Sequence, residues 1–137
     1  MTLVITIGAA APLSLAAADA AGPDITNTRL RQPNAGPDGS NDARELAKAQ
    51  VEFGIRVAQK KLWREAAYRF EKAVEVDPTY AAAWNNLAIA YEEQGKFPEA
   101  DKAYTKAVQL DPGNVLIRQN YDLFKEFYDR INARKRR

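Results

Sequence analysis

The sequence predicts an all-α fold made of two helical repeats and one further helix. Three observations lead to this prediction. Residues 47–80 and 81–114 follow the same order of residue types, 34 positions apart. Apolar residues recur at the three- and four-residue steps of a helix. Glycine or proline stands where each helix is expected to end. A fixed period of this length is typical of architectures in which each unit is one pair of helices.

The repeat shows in identical residues at a constant offset. The identical pairs are Glu65 and Glu99, Ala66 and Ala100, Lys72 and Lys106, Ala73 and Ala107, Val74 and Val108, Asp77 and Asp111, and Pro78 and Pro112. Aromatic side chains keep the same register, since Phe97 corresponds to Trp63 and Tyr104 to Phe70. We therefore expect both units to make the same packing contacts.

Within the second unit, glycine and proline separate two helices. The first is expected from Ala81 to Gln94, because Gly95 supplies the permissive backbone that commonly ends a helix. The second begins near Phe97 and stops at Asp111, since the following proline disfavours a helical residue before it. Small alanines at helical spacing are expected to let the two helices approach closely.

The second unit resembles a tetratricopeptide repeat, whose pattern is W-x2-L-G-x2-Y, A-x3-F and P. The matching residues are Trp84, Leu87, Tyr91, Ala100, Tyr104 and Pro112, with Ala88 in place of the usual glycine. The first unit matches at Gly54, Ala66, Phe70 and Pro78, with Phe53 for the leucine, whereas Gln50 and Val57 replace the aromatics. An atypical first repeat suits an end position. The resemblance implies two helix-turn-helix repeats and a capping helix in a short right-handed superhelix.

The capping helix is predicted over residues 115–134, with Asn114 as its N-cap. Its apolar residues form two neighbouring stripes. The first contains Ile117, Tyr121, Phe124, Tyr128 and Ile131, and the second contains Leu116, Leu123 and Phe127. The first stripe is expected to cover the open face of the second repeat. The second stripe is expected to line the concave groove or to meet another copy of the chain.

Residues 1–20 resemble a secretory signal peptide. Residues 2–18 carry no charge, and Ala18, Asp19 and Ala20 form a small-x-small pattern, so cleavage is expected after Ala20. No Lys or Arg precedes the apolar run, which departs from the usual pattern. We expect export to the periplasm or secretion, with no membrane span left after cleavage. An uncleaved N-terminal membrane anchor is the alternative, followed by a cytoplasmic protein with an apolar tail.

Residues 21–42 are predicted to be a flexible linker, because glycine, proline, asparagine and aspartate interrupt any period there. Asp42 and Glu45 resemble a capping box, which predicts that the folded domain spans residues 43–137.

The absence of cysteine and histidine from the whole sequence excludes several kinds of chemistry. Cysteine nucleophiles, histidine-assisted serines and the usual zinc sites are all ruled out. No glycine-rich phosphate loop is present, and carboxylates such as Glu92 and Asp101 occur at ordinary solvated helix positions. We therefore predict a protein that is not an enzyme and that uses neither a metal nor a cofactor.

The family resemblance implies binding of a protein segment, either a peptide or a helix, in the concave groove formed by the first helix of each repeat. Carried over by position, the groove residues in this chain would be Lys48, Val51, Ile55, Asn85, Asn86, Ile89, Glu93, Gln119, Leu123 and Phe127. The sequence thus predicts an interaction adaptor or scaffold, placed in the bacterial cell envelope. If the groove is used, Ile89→Asp should weaken partner binding and leave melting nearly intact.

Two other functions remain open from the sequence. The apolar stripes could both be buried in a permanent homo-oligomer, such as a homodimer, or in a hetero-oligomer. The chain would then be a structural subunit. The basic run of residues 134–137, with Arg130 one turn earlier, could bind an anionic surface, although cations at a helix end also favour its dipole. Nucleic acid is not expected, because no aromatic residues are interleaved with these cations.

Overall fold

The computed structural model describes residues 39–137, which form five helices and contain no strand. The helices are α1 (Gly39–Gln59), α2 (Trp63–Val76), α3 (Ala81–Glu93), α4 (Phe97–Leu110) and α5 (Val115–Lys135). The all-α prediction is confirmed, with α1 and α2 forming one helix pair, α3 and α4 a second, and α5 following them. The proposed signal peptide and linker residues 21–38 lie outside the described residues.

The close packing within each pair depends on residues with small side chains. Ala66, Ala73, Ala100 and Ala107 have no exposed surface and lie at equivalent positions of α2 and α4. Gly54 is so close to Phe70 that an added Cβ would lie 2.5 Å from the ring. Since a well-packed core has little spare volume, this contact requires a residue without a side chain.

The two turns inside the repeats have the same hydrogen bonds. Leu62 N donates to Val57 O at 3.3 Å, and 34 residues later Lys96 N donates to Tyr91 O at 2.9 Å. Such bonds over five residues are typical of a helix end that passes through the left-handed region. That conformation is held by Gly95 in the second repeat, as its glycine predicts, and by Lys61 in the first.

α1 includes residues 39–42, which precede the predicted start of the folded domain at residue 43, so these residues belong to the helix and not to the linker. Asp42 therefore lies within the first turn and is not the N-cap. An arginine near this end ties α1 to the loop between α2 and α3. The Arg44 guanidinium forms an ion pair with Asp77 and donates to Thr79 Oγ1 at 3.0 Å. It also lies 4.7 Å from the centre of the Tyr80 ring.

α5 uses one of its two apolar stripes to cover the second repeat, as predicted. Asn114 caps the helix by accepting a hydrogen bond from Ile117 N. Phe124 is 1% exposed, with its ring centre 5.2 Å from that of Tyr104. The other stripe stays open, since Leu123 is 59% exposed and Phe127 is 40% exposed.

The remaining side of α5 is polar at the positions where α3 is apolar. Asp122 occupies the place of Ala88, which corresponds to Gly54 in α1, and it is exposed. Arg118 and Lys125 likewise replace Trp84 and Tyr91, and both are exposed. Within residues 39–137, no helix combines the length and the apolar character needed to cross a membrane.

Candidate interaction surface

The first helices of the successive units, α1, α3 and α5, form one continuous surface. α3 contacts both α1 and α5. The Asn120 side chain of α5 donates to Asn85 Oδ1 of α3 at 3.2 Å. The surface therefore combines side chains from three helices that are far apart in sequence, as the repeat resemblance implies.

An apolar pocket of about 190 Å³ lies between α1 and α3 on this surface. It is lined by Ile55, Ala58, Gln59, Trp63, Phe70, Asn86 and Ile89. Only the amides of Gln59 and Asn86 are polar side chains among these residues. Since an apolar cavity of about 150 Å³ is large enough for benzene, the pocket could hold one aromatic or branched aliphatic side chain.

The structure brings three of the predicted groove residues together in this pocket. Ile55, Asn86 and Ile89 all line it. Ile89 is only 6% exposed, so an aspartate there would be a buried charge. The expectation that Ile89→Asp leaves melting unchanged is therefore wrong, and this substitution would not separate binding from folding.

Two predicted groove residues lie between helices and do not reach the surface. Val51 and Asn85 are 5% and 3% exposed, and Asn85 accepts the hydrogen bond from Asn120. The helical wheel places both on the correct side of their helices, but the neighbouring helix covers them. Asn85 instead joins α3 to α5.

The other predicted residues are exposed around the pocket or farther along α5. Lys48, Glu93 and Gln119 are polar and exposed. Lys48 Nζ donates to Glu45 at 2.7 Å, and this hydrogen bond raises the pKa of the lysine. Leu123 and Phe127 provide exposed apolar surface on α5, where the Phe127 ring packs edge-on against Phe97 at 5.6 Å.

Sequence reasoning missed the contribution of α2 to the pocket. Trp63 and Phe70 belong to the second helix of the first pair, and Ala58 lies near the end of α1. The family pattern assigns Phe70 to helix packing, so it gives no sign that the ring also faces a cavity. Gln50 and Val57 replace the usual aromatics and mark the first repeat as atypical, but neither residue lines the pocket.

Two tyrosine hydroxyls donate hydrogen bonds to glutamates on neighbouring helices. Tyr91 donates to Glu71 at 2.8 Å, and Tyr104 donates to Glu92 at 2.9 Å. Burial raises the pKa of both tyrosines, and the neighbouring carboxylates raise it further. Burial also raises the pKa of Glu92, against the effect of the Tyr104 hydrogen bond. The hydroxyls therefore stay protonated and act as fixed donors that join neighbouring helices.

Comparison with known proteins agrees with this geometry. The profile described as "Tetratricopeptide repeat" matches residues 81–114, and the one described as "TPR repeat" matches residues 58–95. The chain also resembles the solved structure "Arabidopsis OM64 TPR domain", with a TM-score of 0.60 and 25% identity, over 64% of this chain and 73% of the other.

Two curated relatives are similar to this chain over somewhat less than two thirds of its length. One is the tetratricopeptide repeat domain-containing protein PYG7, chloroplastic, of Arabidopsis thaliana, at 32% identity over 62% of this chain and 28% of the relative. The other is the type IV pilus assembly protein PilF of Pseudomonas aeruginosa, at 30% identity over 63% of this chain and 33% of the relative. The chain thus spans about a third of their length or less.

These matches fall on the helix pairs and agree with a repeat domain of the kind that mediates protein–protein interaction. They also favour a non-catalytic role for the matched region. Both family profiles cover the α3 helix that carries Asn86 and Ile89. Residues 58–114 of this chain therefore match tetratricopeptide repeats.

Proposed function

We propose that this protein is an adaptor that binds a segment of a partner protein along α1, α3 and α5. The pocket between α1 and α3 carries this proposal. It would take one Leu- or Phe-sized side chain, while Gln59 and Asn86 offer hydrogen bonds at its rim. Pockets of this kind, mostly apolar with a few polar groups, are typical of binding sites. The protein would act by recognition and not by catalysis.

The exposed residues Leu123 and Phe127 extend this contact beyond the pocket. A helical segment that places one apolar side chain in the pocket would present others one or two turns away. Those side chains could cover Leu123 and Phe127, which otherwise leave apolar surface in contact with water. Such a segment would be amphipathic, with its apolar face toward the protein.

Filling the pocket tests this proposal without introducing a buried charge. Peptides that bind the full-length protein would be selected from a displayed random library and measured by fluorescence anisotropy. We expect Ala58→Leu, which adds volume to the pocket wall, to weaken peptide binding at least about tenfold. Ala49→Leu, an exposed position on the same helix, is the matched control and should bind normally. Selected peptides that bind both variants equally would place the site elsewhere.

Self-association is a second candidate, favoured by the open stripe on α5. In that case Leu123 and Phe127 would pack against α5 of another copy. The two copies would then form a structural dimer. Sedimentation across a concentration range distinguishes the two functions. A dimer that persists on dilution and dissociates in Leu123→Ser would support the structural role. A monomer at all concentrations would exclude it.

We further propose that the protein is exported to the bacterial envelope. The support is the uncharged run at residues 2–18, followed by the small residues Ala18 and Ala20. N-terminal sequencing of the protein from fractionated bacterial cells tests this, and a mature chain that begins at Ala21 is expected. An intact N-terminus in the membrane fraction would favour the uncleaved anchor instead.

A further inference from the structure

Exposed lysine and arginine residues lie on three segments along one edge of the molecule. Two of these segments are the turns that follow α1 and α3, and the third is the end of α5. Gln94 Nε2 of the second turn donates to Trp63 O at the start of α2, directly after the first turn, at 3.3 Å. Phe97, next to the second turn, packs against Phe127 of α5 with ring centres 5.6 Å apart. These contacts make the edge a continuous surface.

The cations of this surface are all exposed. We call it the basic edge, and its cations are Lys60, Lys61, Arg64, Lys96, Arg130 and residues 134–137. Among residues 39–137, the ion pairs involve Arg44, Lys48 and Lys72, so none of the cations of the basic edge is neutralised by a close carboxylate. The carboxylates on the same segments are fewer than the cations, and they are Glu65, Glu92, Glu93, Glu99, Glu126 and Asp129. The edge therefore carries a net positive charge.

Apolar side chains project from the same edge. Leu62 lies between Lys61 and Arg64 at the start of α2 and is 51% exposed, whereas the equivalent position in the second repeat is Lys96. Phe127 is also exposed, one turn before Arg130. Cations are attracted to anionic headgroups, and apolar side chains among them can enter the interfacial layer of a bilayer.

We propose that the basic edge docks on an anionic lipid surface. This goes beyond the proposed adaptor function, since it adds a second partner of a different chemical class. Lipid fits better than nucleic acid because the most exposed apolar side chain of the edge, Leu62, is aliphatic, whereas nucleic acid surfaces favour aromatic stacking beside the cations. The charge of the edge also comes from three separate elements, so removing residues 134–137 alone would leave part of it in place.

Vesicle cosedimentation of the full chain tests this proposal. The probes are vesicles of phosphatidylcholine alone and vesicles that also contain phosphatidylglycerol. One triple variant, Lys60→Gln with Lys96→Gln and Arg134→Gln, removes a cation from each segment. The matched control removes three exposed cations outside the edge, through Lys102→Gln, Lys106→Gln and Arg118→Gln. The N-terminal apolar run is the same in every variant, so differences in binding report on the edge.

We expect binding only to the anionic vesicles, with affinity that falls as salt rises. The edge variant should lose on the order of 100-fold in affinity, because each cation near an anionic surface contributes about fivefold. The control should lose no more than about threefold, and Leu62→Ser should weaken binding without changing its salt dependence. Equal binding to neutral vesicles, or equal losses in both triple variants, would overturn the proposal. Binding to a DNA duplex in place of the vesicles would also overturn it.

Discussion

Lys61 and Gly95 hold the same left-handed backbone at equivalent positions of the two repeats, with φ of 60° and 73°. Both follow the last turn of a first helix and precede the start of its partner. Glycine adopts this region at no steric cost, whereas a residue with a Cβ does so at a cost of about 1 kcal/mol. The first repeat therefore has the same turn geometry, although Lys61 is less suited than glycine to this backbone conformation.

Lys61→Gly should stabilise the protein by about 0.5 kcal/mol, since it relieves this strain but gains flexibility in the unfolded chain. Gly95→Ala should destabilise it by about 1 kcal/mol, because alanine has a Cβ and adopts the left-handed region only with strain. Urea denaturation measures both. Gly113→Ala is the control, because Gly113 has no positive φ and an added Cβ would meet no atom within 4 Å. A destabilised Lys61→Gly variant would contradict the strain argument.

Gly54→Ala should destabilise the first repeat by about 1–3 kcal/mol through overpacking. The new Cβ would lie 2.5 Å from Phe70 Cε1, so the ring or α1 must move. Thermal unfolding measures the loss. In a double-mutant cycle with Phe70→Leu, the cost of the added methyl group should shrink because the smaller side chain leaves room for it. Additive effects would show that the ring is not the obstacle.

Because of Asp77, the free energy of unfolding should depend on pH under acidic conditions. Burial of the Asp77 carboxyl would raise its pKa, but hydrogen bonds from Thr79 and Arg44 outweigh this and hold the pKa below its ordinary value. The contribution is therefore complete above the unfolded pKa of about 3.9 and is lost as the pH falls through the lower folded pKa.

Asp77→Asn should cost about 1 kcal/mol at pH 7, a figure reduced because Arg44 is partly exposed to solvent. The difference from the native protein should shrink as the pH falls through the lowered folded pKa, because the native carboxyl then also becomes protonated. Denaturation at several pH values checks this. Asp111→Asn is the control, since Asp111 accepts a hydrogen bond from Asn114 in place of an arginine. A difference that does not vary with pH would exclude the ionic explanation.

The two apolar stripes of α5 should respond differently to truncation. Phe124→Ala removes a ring that contacts Tyr104 and Tyr128 and should cost about 3–5 kcal/mol. Leu123→Ala, one residue away, should change the free energy of unfolding by less than about 0.5 kcal/mol, because its side chain is largely in water. Chemical denaturation of the two variants side by side tests this. Similar losses would mean that Leu123 is covered in solution.

Most of the fold can be predicted from the sequence because the same helix pair is encoded twice, in residues 47–80 and 81–114. Gly95 and Asn114 mark helix ends by local chemistry that does not depend on tertiary contacts, and both occur in those roles in the structure. The start of α1 could not be predicted equally well. Asp42 followed by Glu45 matches a capping pattern, but nothing in these residues reports the ion pair by which nearby Arg44 ties the helix to Asp77.

The candidate site is less accessible to sequence reasoning. Spacing assigns Val51 and Asn85 to the correct helix face, but burial depends on how closely the next helix approaches. The wheel also cannot show that α2 contributes to the pocket, since Trp63 reaches it from the second helix of the pair. Leu123 and Phe127 are exposed because they lie on a helix that no later helix covers within the described residues.

The polar side of α5 has a consequence for how the length of this protein could change. A helix placed after α5 in the way that α4 follows α3 would meet the carboxylate of Asp122, where α3 offers the methyl group of Ala88. A 34-residue unit copied into the chain before Val115 would instead find matching surfaces on both sides. Gene duplication, or a designer, could lengthen the array from within while α5 keeps its place after the last repeat.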